Sequence, residues 1–213
     1  MSLRRMSALI ASGLRCFREY LSAKGRGDKT LEHIGRLVEM LNPCVFSGIS
    51  KTELERYAWT YARNIQNKLD MRLISPIKQV VFSTGIPIVV ISSGCREGIM
   101  PSLWLAGLEA DEVLANAFVF DGQGVTEKFD FSITHNKEEL LTQLLERHRI
   151  NPGDIMYIGD ACADENCFYM AGYSVVSFFA SPGFRARVSS MGLAYAPVSQ
   201  QEFAVFLQKA VLQ

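Results

Sequence analysis

The sequence has little charge of either sign in excess. Lys plus Arg number 22 and so do Asp plus Glu, and no basic run stands out that could neutralise a phosphate backbone. A nucleic-acid partner is excluded on that ground, and any charged ligand must be held by local groups. Cysteine is sparse: the 5 residues, Cys16, Cys44, Cys95, Cys162 and Cys167, are odd in number, scattered and without a CxxC. That pattern excludes a disulfide framework and a thiolate zinc site, and it fits a reducing cytoplasm. Long hydrophobic runs are missing too. The longest apolar stretch, Ile86 to Ile91, falls far short of the ~18 residues a membrane helix needs, so a soluble chain without a membrane partner is expected. No repeat and no low-complexity linker divides the 213 residues, which leaves one large domain, or a domain carrying an insert.

What is present is an ordinary globular balance, 48% hydrophobic and 21% charged, sufficient for a sizeable core. The segment before Glu19, with Arg4, Arg5, Arg15 and Arg18, has a transit-peptide-like mix but also reads as a helix. The pattern changes near Gly85. Before it, Leu9, Ile10, Leu14 and Phe17, then Leu31, Ile34, Leu37 and Leu41, recur at helical spacing. Ser50 and Glu53 form a capping box for a helix whose buried face is expected to hold Leu54, Ala58, Tyr61 and Ile65.

After Gly85, short apolar runs alternate with amphipathic helices. Ile88–Ile91 predicts a strand buried on both faces, ending at Ser92-Ser93-Gly94, and a helix with Leu103, Trp104 and Leu105 follows. Val113–Phe120 and Val125–Phe131 flank Asp121-Gly122-Gln123-Gly124 and predict a hairpin. Asn136 with Glu139 caps a helix on Leu140, Leu141, Leu144 and Leu145. Ile155–Ile158 and Tyr173–Phe179 predict two further buried strands, and Ser199 with Glu202 caps a terminal helix. Two regions result, 1–84 mainly helical and 85–213 α/β. Alternating strands and helices imply a parallel sheet covered on both faces, with its ligand site at the carboxyl ends of the strands.

The polar groups at those ends are Ser92 and Ser93 after one strand, Asp160 after another, and Lys137 in the first turn of a helix. A lysine there joins a cation to unpaired amides and the positive end of a dipole, which suits phosphate; an exposed surface lysine is the plainer alternative. Gly159-Asp160-Ala161-Cys162-Ala163-Asp164 sets a second carboxylate four residues after the strand-end aspartate. The pair could offer oxygens to Mg²⁺, although Asp164 could equally serve only as a helix cap.

In order, Ser92, Lys137 and Asp160-x-x-x-Asp164, together with Ile88–Gly94, Ala115-Asn116 and Asp121-Gly122, resemble the haloacid dehalogenase (HAD) superfamily, in its phosphoserine-phosphatase-like branch. A phospho-receiver domain uses similar groups but in the order acid, hydroxyl, lysine. The resemblance covers most of the chain and implies a three-layer Rossmann-like parallel sheet with an α-helical cap, residues 8–84 forming most of that cap. It further implies Mg²⁺-dependent hydrolysis of a small phosphorylated metabolite. Ser92, with Ser93 as the alternative, and Gly94 would bind the phosphate; Lys137 would neutralise charge on phosphate and nucleophile; Asp160 and Asp164 would hold the metal.

Two features depart from the family pattern. The family's nucleophile is the first aspartate of a DxD motif on an N-terminal strand, and no DxD occurs in the sequence. Asp28-Lys29-Thr30 follows Ser22–Gly27, which cannot form an apolar strand, and Ala8–Ser12 suits a helix better than a strand. The expectation is therefore that the chain begins inside the cap and lacks the first, central strand, and that by itself it is inactive. In addition, Ala163 stands where phosphoserine phosphatases usually carry asparagine, so phosphoserine is not implied as substrate. The rival readings are a catalytically silent relative that binds phosphate or metal as a regulatory or scaffold protein, and an α/β domain of other chemistry.

Overall fold

The computed structural model describes residues 46–133 and 136–211. Its elements in chain order are α1 (Lys51–Ile65), α2 (Met71–Thr84), β1 (Val89–Cys95), α3 (Arg96–Ala106), β2 (Glu112–Phe120), β3 (Thr126–Asp130), α4 (Lys137–His148), β4 (Met156–Gly159), α5 (Glu165–Met170), β5 (Tyr173–Val176), α6 (Pro182–Ser190) and α7 (Gln200–Val211). The helices expected before residue 46, Ala8–Ser12 and Asp28 lie outside the described residues.

The chain divides into two compact units, one containing described residues 46–54 and 118–130, the other 55–117 and the residues from Phe131 onward. In the first, the β2–β3 turn closes on Asp121, whose Oδ1 accepts from the amides of Gln123 and Val125 at 2.8 Å each, and Gly124 supplies the positive φ of 76° the turn needs. Segment 48–51 runs along this turn, with Gly48 N donating to Thr126 O at 2.8 Å and Lys51 N to Gly124 O at 2.9 Å. Phe46, Phe118 and Phe129 pack against one another with centroids 4.8–5.7 Å apart, the offset and edge contacts that aromatic quadrupoles favour.

The second unit carries the parallel strands. β1 pairs with β2 in parallel from Val89↔Glu112 to Ser92↔Ala115, then slips between Ser92 and Cys95. β4 pairs with β5 in parallel from Met156↔Tyr173 to Gly159↔Val176. Period-two alternation sends their apolar residues to both faces. Tyr157 and Val176 join Leu141, Leu144, Leu145, Phe168, Phe184 and Val188 on one side. On the other, Val175 packs with Phe203 and Leu207, and Leu73, Ile77 and Val80 of α2 cover them. Fully burying each such side chain stabilises the fold by ~1.5–3 kcal/mol. The result is a three-layer α/β arrangement in which α4, α5 and α6 pack on one face of the parallel strands, and α2 and α7 pack on the other face of the β4–β5 ladder. Among the described residues no ladder joins β1 to β4. No described helix is long and apolar enough to cross a membrane.

The Ser50–Glu53 capping box forms: Glu53 N donates to Ser50 Oγ and Ser50 N to Glu53 Oε2, both at 3.3 Å. Several local expectations need correction. Ala62 is buried on α1 in the place expected for Tyr61, which is exposed; Leu54, Ala58 and Ala62 follow a strict i, i+4 row. β1 is half-buried and continues to Cys95 instead of ending before Ser92. β5 stops at Val176, and Phe179 is exposed. Asn136 occupies the N-cap of α4, but its side chain makes no capping bond. Helix α6 was not anticipated; its signal is Ser181-Pro182, with the serine hydroxyl accepting from Phe184 N at 3.3 Å.

Candidate functional site

The expected polar groups lie at the carboxyl ends of β1 and β4 and at the start of α4, which packs against β1. Lys137 and Asp164 meet. Lys137 Nζ lies 2.7 Å from Asp164 Oδ1, with side-chain exposures of 12% and 2%. The same oxygen accepts from the Tyr157 hydroxyl at 2.9 Å. Asp164 Oδ2 accepts from the amides of Asp160 and Ala161, both at 3.0 Å. Four donors thus occupy the roughly four lone-pair sites of one carboxylate.

Strand geometry explains how Asp164 reaches this place. Tyr157 and Gly159 lie on the same face of β4 by period-two alternation. A Cβ on Gly159 would stand 2.5 Å from Asp164 Cβ and 2.6 Å from its Cγ, so only glycine admits the aspartate over the strand end. Burial opposes ionisation of Asp164 most strongly. The hydrogen bond and charge of Lys137, followed by the bonds from Tyr157 and Ala161, outweigh it and hold the carboxyl below its ordinary range. The neighbouring Tyr157 hydroxyl is pushed far up by burial and then by the Asp164 charge, so it acts as a fixed donor.

The other expected residues lie at the end of β1. Ser92 is half-buried, and Ser93 and Gly94 are exposed. Ser92 Oγ accepts from Gly94 N at 3.0 Å, which leaves its O–H able to donate outward. Asn116, 1% exposed, holds the loop by donating from Nδ2 to Ser93 O at 2.7 Å while its Oδ1 accepts from Ile133 N at 3.0 Å. The Cys95 thiol is pushed up to about 11 by burial and by its hydrogen bond to Glu97, so it stays protonated at neutral pH and is a poor nucleophile.

Asp160 differs from Asp164. It is exposed, and only its backbone is tied down. As a metal ligand Asp164 would first have to release one of its four donors, and among the described residues no group of three His, Cys, Asp or Glu side chains is placed to hold an ion. One open carboxylate is what these residues offer to Mg²⁺, which usually needs one or two carboxylates together with water and substrate phosphate. Of the arginines in the helical region, Arg72 is committed to Asp70, with Nε–Oδ1 at 2.8 Å and Nη2–Oδ2 at 3.0 Å.

Tyr157 and Asn116 were not picked out as site residues from the sequence. Tyr157 had a signal, a hydroxyl in an otherwise aliphatic run two residues before Gly159-Asp160. Asn116 is a buried amide in an apolar strand, and burial requires partners for it.

Comparison with known proteins bears on the fold. No family model and no curated protein matches the chain. Solved structures do match. They include an HAD-family hydrolase from Salmonella enterica subsp. enterica serovar Typhi, with TM-score 0.56, 20% identity and coverage of 86% of this chain and 58% of that one. A cytosolic 5'-nucleotidase IIIB bound to cytidine matches with TM-score 0.63 and 14% identity over 99% of this chain and 75% of that one. Phosphoserine phosphatase from T. onnurineus matches with TM-score 0.53 and 19% identity over 94% and 84%.

The chain has the fold of the HAD hydrolases. At these identities the fold is what is shared, and the chain spans only 58% of the length of the Salmonella HAD hydrolase. In that fold the ends of β1 and β4 and the start of α4 hold the groups described above.

Proposed function

We propose that the chain is a phosphate-binding HAD core of the phosphohydrolase kind, which by itself does not hydrolyse phosphomonoesters. The observation that carries this reading is the Lys137–Asp164 pair at the N-terminus of α4. An ammonium has three N–H donors. Asp164 takes one, and the carboxylate's other donors hold it and its lysine still. The remaining N–H groups, the first-turn amides of α4 and the Ser92 hydroxyl form a donor set suited to a phosphoryl group. Ser93 and Gly94 would supply further contacts from the β1 loop. Mg²⁺, when bound, would add Lewis-acid charge neutralisation; Asp160 is the residue to hold it, with Asp164 confined to positioning Lys137.

The substrate class is a small phosphorylated metabolite; α2 packs with the core strands, so a helical cap drawn from the region before Gly85 would end before Met71. A cytoplasmic setting accords with the free thiols of Cys95, Cys162 and Cys167. Hydrolysis is left out because the sequence holds no DxD aspartate to become the acyl-phosphate; the same observation favours the second reading, a silent phosphate-binding regulator.

Calorimetric titration of inorganic phosphate into the full chain, with and without Mg²⁺, tests the proposal. Saturable binding lost in Lys137→Ala and weakened in Ser92→Ala is expected, with negligible p-nitrophenyl phosphate turnover. Absence of phosphate binding at millimolar concentration would overturn the site. Mg²⁺-dependent turnover abolished by Lys137→Ala would overturn the silence and direct attention to Ser12 and Asp28 as nucleophiles.

A further inference from the structure

The ladder between β1 and β2 skips. Ser92 faces Ala115 and Cys95 faces Asn116, so Ser93 and Gly94 stand as extra residues between successive pairs. Backbone groups pushed out of a ladder need other partners. Here side chains supply them: Ser92 Oγ accepts from Gly94 N at 3.0 Å, and Asn116 Nδ2 donates to Ser93 O at 2.7 Å. The skip is thereby held in one shape, with Ser93 and Gly94 exposed at the strand end.

Asn116 also reaches a second segment. It is 1% exposed, in a strand that is otherwise apolar from Val113 to Phe120, where a buried amide is costly unless its partners compensate for lost water. Its Oδ1 accepts from Ile133 N at 3.0 Å, and Ile133 stands four residues before Lys137, the first residue of α4. One side chain therefore ties the end of β1 to the segment that leads into the first turn of α4. Buried side chains that lock an exposed loop in this way are what hold a binding group to its working geometry.

We propose that Asn116 is a positioning residue for anion binding: it fixes the 92–94 segment in the shape that takes a phosphoryl group, and it acts through that segment without touching the anion. The inference rests on the phosphate reading given above and adds to it the group that shapes the β1 end.

A double-mutant cycle tests this. Inorganic phosphate is titrated calorimetrically into the full chain as wild type, Asn116→Leu, Ser92→Ala and the two combined. Asn116→Leu is close in size and removes both bonds; it should weaken phosphate binding about tenfold, the worth of one hydrogen bond to a charged group. In that variant the Ser92 hydroxyl is already misplaced, so the double variant should bind about as Asn116→Leu does, and the two losses should not multiply. Phe203→Leu, in the other core cluster, lowers stability alone and should bind phosphate as the wild type does, with circular dichroism checking that every chain is folded during titration. Asn116→Ser, small enough to admit a water where the amide was, carries the same cycle if leucine is not accommodated. Unchanged binding in the Asn116 variants, losses that multiply with Ser92→Ala, a Ser92→Ala chain that binds as the wild type does, or an equal loss in Phe203→Leu would each overturn the positioning role while the phosphate reading stands on the Lys137→Ala result. A wild-type chain that binds no phosphate would overturn that reading itself, and this inference with it.

Discussion

Replacing Lys137 by methionine should destabilise the fold, and should do so more at neutral than at acid pH. The variant keeps an unbranched side chain of nearly the same length and removes the ammonium 2.7 Å from a carboxylate that is 2% exposed. Removing one member of a buried pair costs ~3–5 kcal/mol because the other charge is stranded. Asp164 retains Tyr157 and two loop amides as donors, and the lysine is slightly open to solvent, so a loss of about 3 kcal/mol is expected, a large share of a typical margin of ~5–15 kcal/mol. In the wild type the folded Asp164 pKa lies below its unfolded value. The stability it contributes is therefore present above the unfolded pKa and is lost as pH falls through the folded one. In Lys137→Met the largest influence, burial, loses its strongest opponent, and the folded pKa moves up. The gap between the two proteins should be widest near pH 7 and should narrow toward pH ~4, where the carboxyl takes up a proton in the variant first. Urea unfolding of both proteins at the two pH values measures this, and Lys137→Met combined with Asp164→Asn should recover part of the neutral-pH loss. A deficit below ~1 kcal/mol, or one of equal size at both pH values, would refute the reasoning that an unpaired buried carboxylate is responsible.

Three other outcomes follow from the same contacts. Tyr157→Phe removes the hydroxyl 2.9 Å from Asp164 and should cost ~1 kcal/mol; by raising the Asp164 pKa it should also start the acid loss of stability at higher pH, read from urea midpoints against pH. Gly159→Ala drives a methyl to 2.5 Å from Asp164 Cβ and should destabilise by ~1–3 kcal/mol while weakening phosphate binding, since overpacking here displaces the partner of Lys137. Asp160→Asn should abolish the enhancement of Mn²⁺ water relaxation that protein-bound ion produces while leaving thermal stability within ~0.5 kcal/mol of wild type, because the exposed carboxylate bears no packing role; an unchanged enhancement would remove Asp160 as a metal ligand.

What could be read from the sequence rests on neighbours in the chain. Ser50 and Glu53 are three residues apart and cap α1 as their spacing requires. Asp121 and Gly124 set the hairpin within one turn, and the apolar runs at 155–158 and 173–179 mark the positions of two strands buried on both faces, because both layers of helix demand apolar contacts. The alternation of these runs with amphipathic helices was enough for the α/β class. Tertiary structure decided the roles inside the site. GDxxxD spacing allows Asp164 to be a metal ligand, a cap or a lysine partner, and the choice depends on Lys137, 27 residues earlier, and on a glycine whose missing side chain opens the space. The exposure of Tyr61 and the end of β5 at Val176 were likewise settled by what packs against them. Local pattern records which face of an element is apolar. Which side chain fills a given gap, and whether a carboxylate meets a cation or water, depends on contacts between elements far apart in sequence, where packing and desolvation outweigh local preference.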